Sequence, residues 1–453
     1  MALIHPSSEP ATVPELDIFT MPLTQTAVEN IYYQDIRPMS TISANSVIEF
    51  VMGGEGRDYI DLTRTRLHVK FRVVHQDGSE MTVQAFLPTG LIDPAGTTDE
   101  KVVPINFCLH SLWNQVDVYI NGFRMSQASG MYPYKAMIMT MLGYSAASKD
   151  TQLQAQGYRL ETSPNLDEYT AVNEGLYWRY QLFKGSASVD FEGPLLEDVM
   201  QLDRYLLNNM KVQIKLYPSL KQFFLMSGEV NKDYKIDIQD VVLKACMVKV
   251  NPGVILGHAK AMETRNALYS YTKYDMKSYS VSADQRTVYL DNLFQGLRPS
   301  KLVVGLVSAA GFNGSYTKNP FKFHHYDVSN IALVVDGDTL PGRPQKLDFS
   351  KDKGGRDFIE AYVNMYESLG QSGTDFGGGI TPESFAQGHT LFVYSLDPVV
   401  RSGRYMNLSK HSNVRLELHF AKPLPETVTV VIYTEIPTVF EVDAARSVIM
   451  PNN

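Results

Sequence analysis

Apolar and polar residues alternate with a period of two through much of this chain. "LHVKFRV" sets Leu67, Val69, Phe71 and Val73 on one face, "MKVQIKLYP" does so with Val212, Ile214 and Leu216, and "NVRLELHF" with Val414, Leu416 and Leu418. Successive side chains of a strand point to opposite faces, so each run predicts a half-buried strand in an antiparallel sheet with one wet face. Two segments carry a helical period instead. "YPYKAMIMTMLG" spaces Tyr134, Met137, Ile138, Met141 and Leu142 along one stripe, with Pro133 suited to a first turn and Gly143 to a stop. "DFIEAYVNMYESLG" does the same with Phe358, Ala361, Tyr362, Met365, Tyr366 and Leu369, ended by Gly370. Both stripes read as core packing.

The order of these elements repeats. A strand runs into Asn121-Gly122, a short strand follows, then the first helix, a long loop, Arg204-Tyr205 and "NNMKVQIKLYP". Later a strand runs into Asp336-Gly337, then a short strand, the second helix, a Gly-rich loop, Arg404-Tyr405 and "SNVRLELHFAKP". Asn-Gly and Asp-Gly are the dipeptides that tight hairpins favour. Four matches in one order, with drifting offsets, indicate a duplicated unit with loop insertions. The alternation breaks over "NPGVILGHAKAMETRNA", where the two copies join. The expected fold is all-β, with two tandem eight-stranded jelly rolls, each carrying a helix in a long inter-strand connection. The expected division is an extended arm over 1–42, a first jelly roll over 43–252, a linker over 253–267, a second jelly roll over 268–442 and a tail over 443–453.

Composition narrows the function. The chain has 453 residues, 44% of them hydrophobic, enough to fill real cores. The net charge of −8 gives no overall attraction for nucleic acid, and the arm itself is acidic. Two cysteines, Cys108 and Cys246, make no disulfide framework and no zinc cluster, and suggest a reducing compartment. The first residues lack the basic and apolar regions of a secretory signal, and no stretch offers about 20 apolar residues for a membrane span. The sequons at Asn313 and Asn407 read as ordinary loop residues.

Chemistry is sparse. "GTDFGGGITPESFAQG" is Gly-rich but lacks the context of a phosphate cradle, and reads as a mobile surface loop. "FKFHHYDV" read as a strand sends His324 and His325 to opposite faces, leaving at most His325 and Asp327 together. Asp336 and Asp338 suit a turn better than calcium. No catalytic residue, metal site or cofactor is expected. A cupin-type enzyme would need inward His and Glu ligands, and none cluster. A glycan-binding protein built from two sandwiches is the other alternative. One strand stands out: "RTRLHVKFR" puts Arg64, Arg66, His68, Lys70 and Arg72 on one face. This is a solvated face, or one paired with acids on neighbouring strands, or else a docking face for an acidic partner surface ahead of nucleic acid.

"LHSLWNQVDVYING", "YPYKAMIMTMLGYS", "FNGSYTKNPFKFHHYDVSNIALVVDG" and "DRYLLNNMKVQIKLYPS" resemble the major capsid proteins of Polintons and adintoviruses. The resemblance runs from about residue 17 to 440, and "GFNGSYTKNPF" is its most specific part. It implies a double jelly-roll major capsid protein whose homotrimers are pseudo-hexameric capsomers of an icosahedral double-stranded DNA virus. It further implies location in the virion after assembly inside the host cell, contacts with neighbouring capsomers, penton and minor capsid proteins, and no catalytic residues. The loops near 76–104, 145–195 and 341–390 become candidates for outer towers or contacts, and the acidic arm for a strap between capsomers.

Overall fold

The computed structural model describes residues 5–53, 56–83, 99–169, 172–229, 233–294, 297–350, 357–398, 406–408 and 410–451. Eight strands build the first half: β1 (Val28–Ile36), β2 (Ile48–Gly53), β3 (Tyr59–His75), β4 (Trp113–Ile120), β5 (Phe123–Arg124), β6 (Val189–Pro194), β7 (Lys211–Pro218) and β8 (Tyr234–Val250). They form two main sheets, ordered β1-β8-β3-β6 and β2-β7-β4-β5, and the short segments Val102–Pro104 and Leu225–Ser227 pair beside them as a small ribbon. Eight more build the second half: β9 (Ala267–Val281), β10 (Thr287–Leu290), β11 (Lys301–Ser308), β12 (Val328–Val335), β13 (Asp338–Lys346), β14 (Leu391–Ser395), β15 (Val414–Phe420) and β16 (Val428–Val442). Their sheets run β9-β16-β11-β14 and β10-β15-β12-β13, with Val448–Ile449 added beside β16. Adding eight to every label of the first half reproduces the second. The chain is a double jelly roll.

The alternating faces fill the two cores. Leu67, Val69, Phe71 and Val73 are fully buried, as are Val212, Ile214 and Leu216 from the other sheet. Val414, Leu416 and Leu418 play the same part in the second half. Burying each such side chain contributes about 1.5–3 kcal/mol. The expected turns form as well. Asn121 and Gly122 both have positive φ, as do Asp336 and Gly337, so both hairpins are built on left-handed pairs.

Helix α1 (Tyr132–Gly143) lies between β5 and β6, and helix α4 (Ile359–Ser368) lies in the matching place between β13 and β14. Between them in sequence come α2 (Glu174–Phe183) and α3 (Pro252–Met262), and α5 (Pro382–Ala386) follows. No helix among the described residues is long and apolar enough to cross a membrane.

Three local expectations are corrected. Residues 28–36, expected within the arm, form β1 and pair antiparallel with β8 from Val28↔Val250 to Ile36↔Leu243. This is an edge strand that turns only Val28, Ile31 and Ile36 inward, so its polar residues hid the period. The stretch "FHHYD" is not strand but a turn, with Tyr326 and Asp327 at positive φ and the rings of His324 and His325 stacked 4.4 Å apart. The Gly-rich segment is docked rather than free. Gly377 O accepts from Ala146 N at 3.1 Å, and a Cβ on Gly378 would sit 2.7 Å from Met141 O. Arg404-Tyr405 and residues 84–98 and 351–356, parts of the candidate tower or contact loops, lie outside the described residues.

Candidate functional site

The two jelly rolls meet around α1. The stripe expected of that helix is only part of its buried surface, because Tyr132 to Ile138 are all buried. Tyr134 enters a nest of rings: Phe223 at 5.9 Å from its own half, and Phe312, Phe321 and Phe323 at 5.3, 5.6 and 6.4 Å from the other. Its hydroxyl is buried with no partner among the described residues. Beside it, Lys135 Nζ lies 2.7 Å from Glu197 and 2.6 Å from Asp198, all buried. Asp198 Oδ2 accepts from Tyr274 N at 3.2 Å, and the Lys135 ammonium stands 5.4 Å from the Tyr274 ring centre. Burial pushes the Glu197 carboxyl well above the ordinary range, while Lys135 stays charged because the two carboxylates outweigh its own desolvation.

The segment 311–321, the most specific part of the resemblance, is the other side of this joint. Besides Phe312 and Phe321 it supplies Asn319, whose Nδ2 donates to Glu161 at 2.5 Å and to Leu166 O at 3.1 Å. Glu161 also holds the fully buried Arg179. Tyr316 O accepts from Ser227 N at 2.8 Å and from the Tyr169 hydroxyl. Gly314, at φ +102°, passes so close that a Cβ would lie 2.9 Å from Phe223 N. Lys149 adds a further tie, donating to Met141 O at 2.6 Å and Gly378 O at 2.5 Å, and burial lowers its pKa to about 7. Buried polar groups that cross the joint fix one mutual placement of the halves, since an unpaired partner would be costly.

The basic strand is compensated. Arg66 lies 3.2 Å from Glu192, which Lys244 also reaches at 2.5 Å. Arg72 pairs with Asp237 at 2.8 Å and Glu80 at 3.6 Å, and His68 lies 3.9 Å from Asp190. Lys70 stands in register between Asp190 and Asp240, and the Arg66 guanidinium covers the Tyr33 ring at 4.5 Å. Arg64 points outward at the end of the row.

Among the described residues no reactive cluster is assembled. Among the described residues no three His, Cys, Asp or Glu side chains are placed to hold a metal ion. Ser163 Oγ lies 3.0 Å from His389 Nδ1, but no carboxylate among the described residues reaches the other ring nitrogen, so no triad forms. Cys108 and Cys246 are buried free thiols, and burial pushes the Cys108 thiol up to about 12. Sequence reasoning missed Lys135, Glu197, Asp198, Glu161, Arg179 and Asn319. The one available signal was a lysine inside the apolar run of α1.

No protein-family model matches the sequence. The chain is 28% identical over 438 residues to F54H12.2, an uncharacterized protein of Caenorhabditis elegans, covering 95% of this chain and 99% of that one. Solved structures are similar over nearly the whole length. A chain of the Sputnik virophage aligns with TM-score 0.60 at 12% identity, covering 99% of this chain and 94% of its own. The Faustovirus major capsid protein gives 0.59 at 10%, covering 93% and 92%. The mavirus major capsid protein gives 0.54 at 12%, covering 99% and 95%. These neighbours are double jelly-roll capsid proteins rather than enzymes, and at such identities the likeness establishes for this chain the fold they share.

Proposed function

We propose that this chain is a viral major capsid protein, and that three copies form a pseudo-hexameric capsomer of an icosahedral double-stranded DNA virus. The observation that carries this reading is the repeated strand order, fixed into one body by the buried ties across α1. Three such chains around a threefold axis present six similar lobes, a nearly hexagonal tile, and closed rings with repeated interfaces are the common solution for homo-oligomers. End-to-end similarity to the Faustovirus and mavirus capsid proteins supports the same reading. On the sequence resemblance we further assign it to the Polinton and adintovirus type, acting in a virion assembled inside the host cell alongside penton and minor capsid proteins. We take the first lobe to begin at Val28 rather than residue 43, with the linker over 253–267 formed largely by α3 and the second lobe over 268–442.

The test is mass by light scattering, followed by negative-stain microscopy of the same peak. Three chains with a hexagonal outline support the capsomer. A monomer at every concentration and salt defeats it. The stripe Arg64, Arg66, Lys70 and Arg72 is proposed as a contact face on the same reading. Charge reversal at Arg66 and Lys70 that leaves assembly and its salt dependence unchanged removes the stripe from it.

A further inference from the structure

Two apolar surfaces of this chain lie bare beside each other. The first is the arm over residues 5–27, where Leu16, Ile18, Phe19, Met21 and Leu23 are between 69% and 102% exposed. Single exposed apolar residues are ordinary, but five within eight positions need a cover. The second is a groove of about 790 Å³ under α3, where the two jelly rolls meet. Its floor is apolar, with Leu207, Val250, Val254 and Tyr269. Helix α3 itself buries only Met262 and leaves Leu256 70% exposed.

Charge and geometry say what fits. The arm carries Glu9, Glu15 and Asp17 and no Lys or Arg between residues 5 and 27. The groove's rim carries Arg204 and Arg265 beside the acidic Asp203, and neither arginine makes an ion pair among the described residues. The chain's own arm starts at this groove, since Ala27 and Val28 line it. Gln25 clips the exit with two hydrogen bonds to Val28, 3.0 Å to its O and 2.8 Å from its N. Beyond that clip the arm leads away with its apolar residues uncovered. At about 3.3 Å per residue its fully extended reach would be roughly 75 Å, long enough to meet another molecule.

We propose that the groove under α3 receives the arm of a second copy of this chain, with Ile18, Phe19, Met21 and Leu23 on the apolar floor and Glu15 and Asp17 against Arg204 and Arg265. This rests on the self-assembling reading above and gives it a specific contact. Each copy offers one arm and one groove of unlike shape, so the contact is head-to-tail and links copies in series.

The experiment is sedimentation equilibrium on the full chain and three variants. Removal of residues 2–24 should raise the concentration needed for association at least tenfold. Arg204→Glu with Arg265→Glu should do the same, and adding Glu15→Lys with Asp17→Lys in that chain should restore association. Oxidation of the Phe19→Cys, Leu268→Cys double variant should give disulfide-linked oligomers. Armless or charge-reversed chains that associate like the parent overturn the docking and leave self-assembly standing, as does failure of the charge swap to restore it. A disulfide closed only within one chain assigns the groove to the chain's own arm and also overturns the proposal. A parent chain that stays monomeric throughout removes the self-assembling reading and the docking with it.

Discussion

Asn121 and Lys211 hold each other by two hydrogen bonds: Asn121 N donates to Lys211 O at 2.8 Å, and Lys211 N donates to Asn121 Oδ1 at 2.7 Å. Asp336 and Asn413 repeat the pair, with Asp336 N to Asn413 O at 2.9 Å and Asn413 N to Asp336 Oδ1 at 2.8 Å. In each lobe a turn residue at positive φ ties the β4–β5 or β12–β13 hairpin to the start of the neighbouring strand. The duplication thus reaches individual hydrogen bonds, and it explains why Asn stands at one turn and Asp at the other: each tolerates positive φ and offers a side-chain oxygen to the neighbouring strand. Replacing Asn121 by Gly loses the bond from Lys211 N and the one its own Nδ2 donates to Arg446 O at 2.6 Å, and should cost about 1–2 kcal/mol. Replacing it by Ala also strains the left-handed backbone and should cost about 1 kcal/mol more. Urea denaturation of the two variants checks the order, and equal losses would show that φ carries none of the preference.

Tyr134 makes the sharpest test of the joint. Its ring is enclosed by four phenylalanines and its hydroxyl has no partner among the described residues. Tyr134→Phe should therefore hold stability within about 1 kcal/mol or raise it. Tyr134→Ala empties the nest and should cost about 3–5 kcal/mol. Calorimetry should also show the alanine variant's single transition broadening or splitting as the lobes lose their common core. A Phe variant as damaged as the Ala variant would mean that the hydroxyl is bonded.

These residues mark how far the sequence could be read. Alternation revealed β3, β7 and β15 because each buries one face of a sheet, and Asn121-Gly122 and Asp336-Gly337 revealed their hairpins because positive φ restricts residue choice. The helices α1 and α4 were legible from their spacing, although α1 is buried on more than its stripe. Strand β1 was not legible, because an edge strand need bury only one residue in three or four. Helix α3 was hidden in "PGVILGHAKAM" because its apolar residues form no stripe opposite a polar face: only Met262 is fully buried, Val254 and Ile255 are half-buried and Leu256 is exposed. The buried ion cluster was invisible for a different reason: Lys135 finds its partners 62 and 63 positions away, and only the tertiary fold brings them together.

That cluster carries its own prediction. Lys135→Met leaves Glu197 and Asp198 buried without their cation, and should cost about 3–5 kcal/mol at neutral pH. Adding Glu197→Gln and Asp198→Asn removes the stranded charges and should recover at least half of the loss. The penalty of the single variant should shrink as pH falls, because a protonated Glu197 no longer needs the ammonium. Urea midpoints at pH 7 and pH 5 check both statements, and a loss unchanged by the neutralising pair would show that packing, not charge, is at stake.

Two fully buried histidines, together with the largely buried His325, weaken the fold in acid because burial holds their rings neutral. His110 is fully buried, with Nδ1 2.8 Å from the Tyr132 hydroxyl and Nε2 2.9 Å from Gln156 Oε1. The Tyr132 hydroxyl oxygen in turn accepts from Leu196 N, so the hydroxyl donates to Nδ1 and the ring proton sits on Nε2. His389 is buried at the joint, with Ser163 on Nδ1 and the Lys149 ammonium nearby. Burial lowers both to about 4 from an ordinary 6.5. A lowered folded-state pKa means the unfolded chain takes the proton first. The stability these rings contribute is therefore intact above about pH 6.5 and is lost progressively towards pH 4, by up to about 3 kcal/mol for each ring. Glu197 acts in the opposite direction, because its raised pKa favours the folded state as the carboxyl protonates. The two effects separate by substitution. His110→Gln and His389→Gln should each flatten the fall in Tm between pH 6.5 and pH 4, while Glu197→Gln should steepen it. Calorimetric Tm values across that range check all three, and a slope unmoved by either histidine substitution would place the acid response elsewhere in the chain.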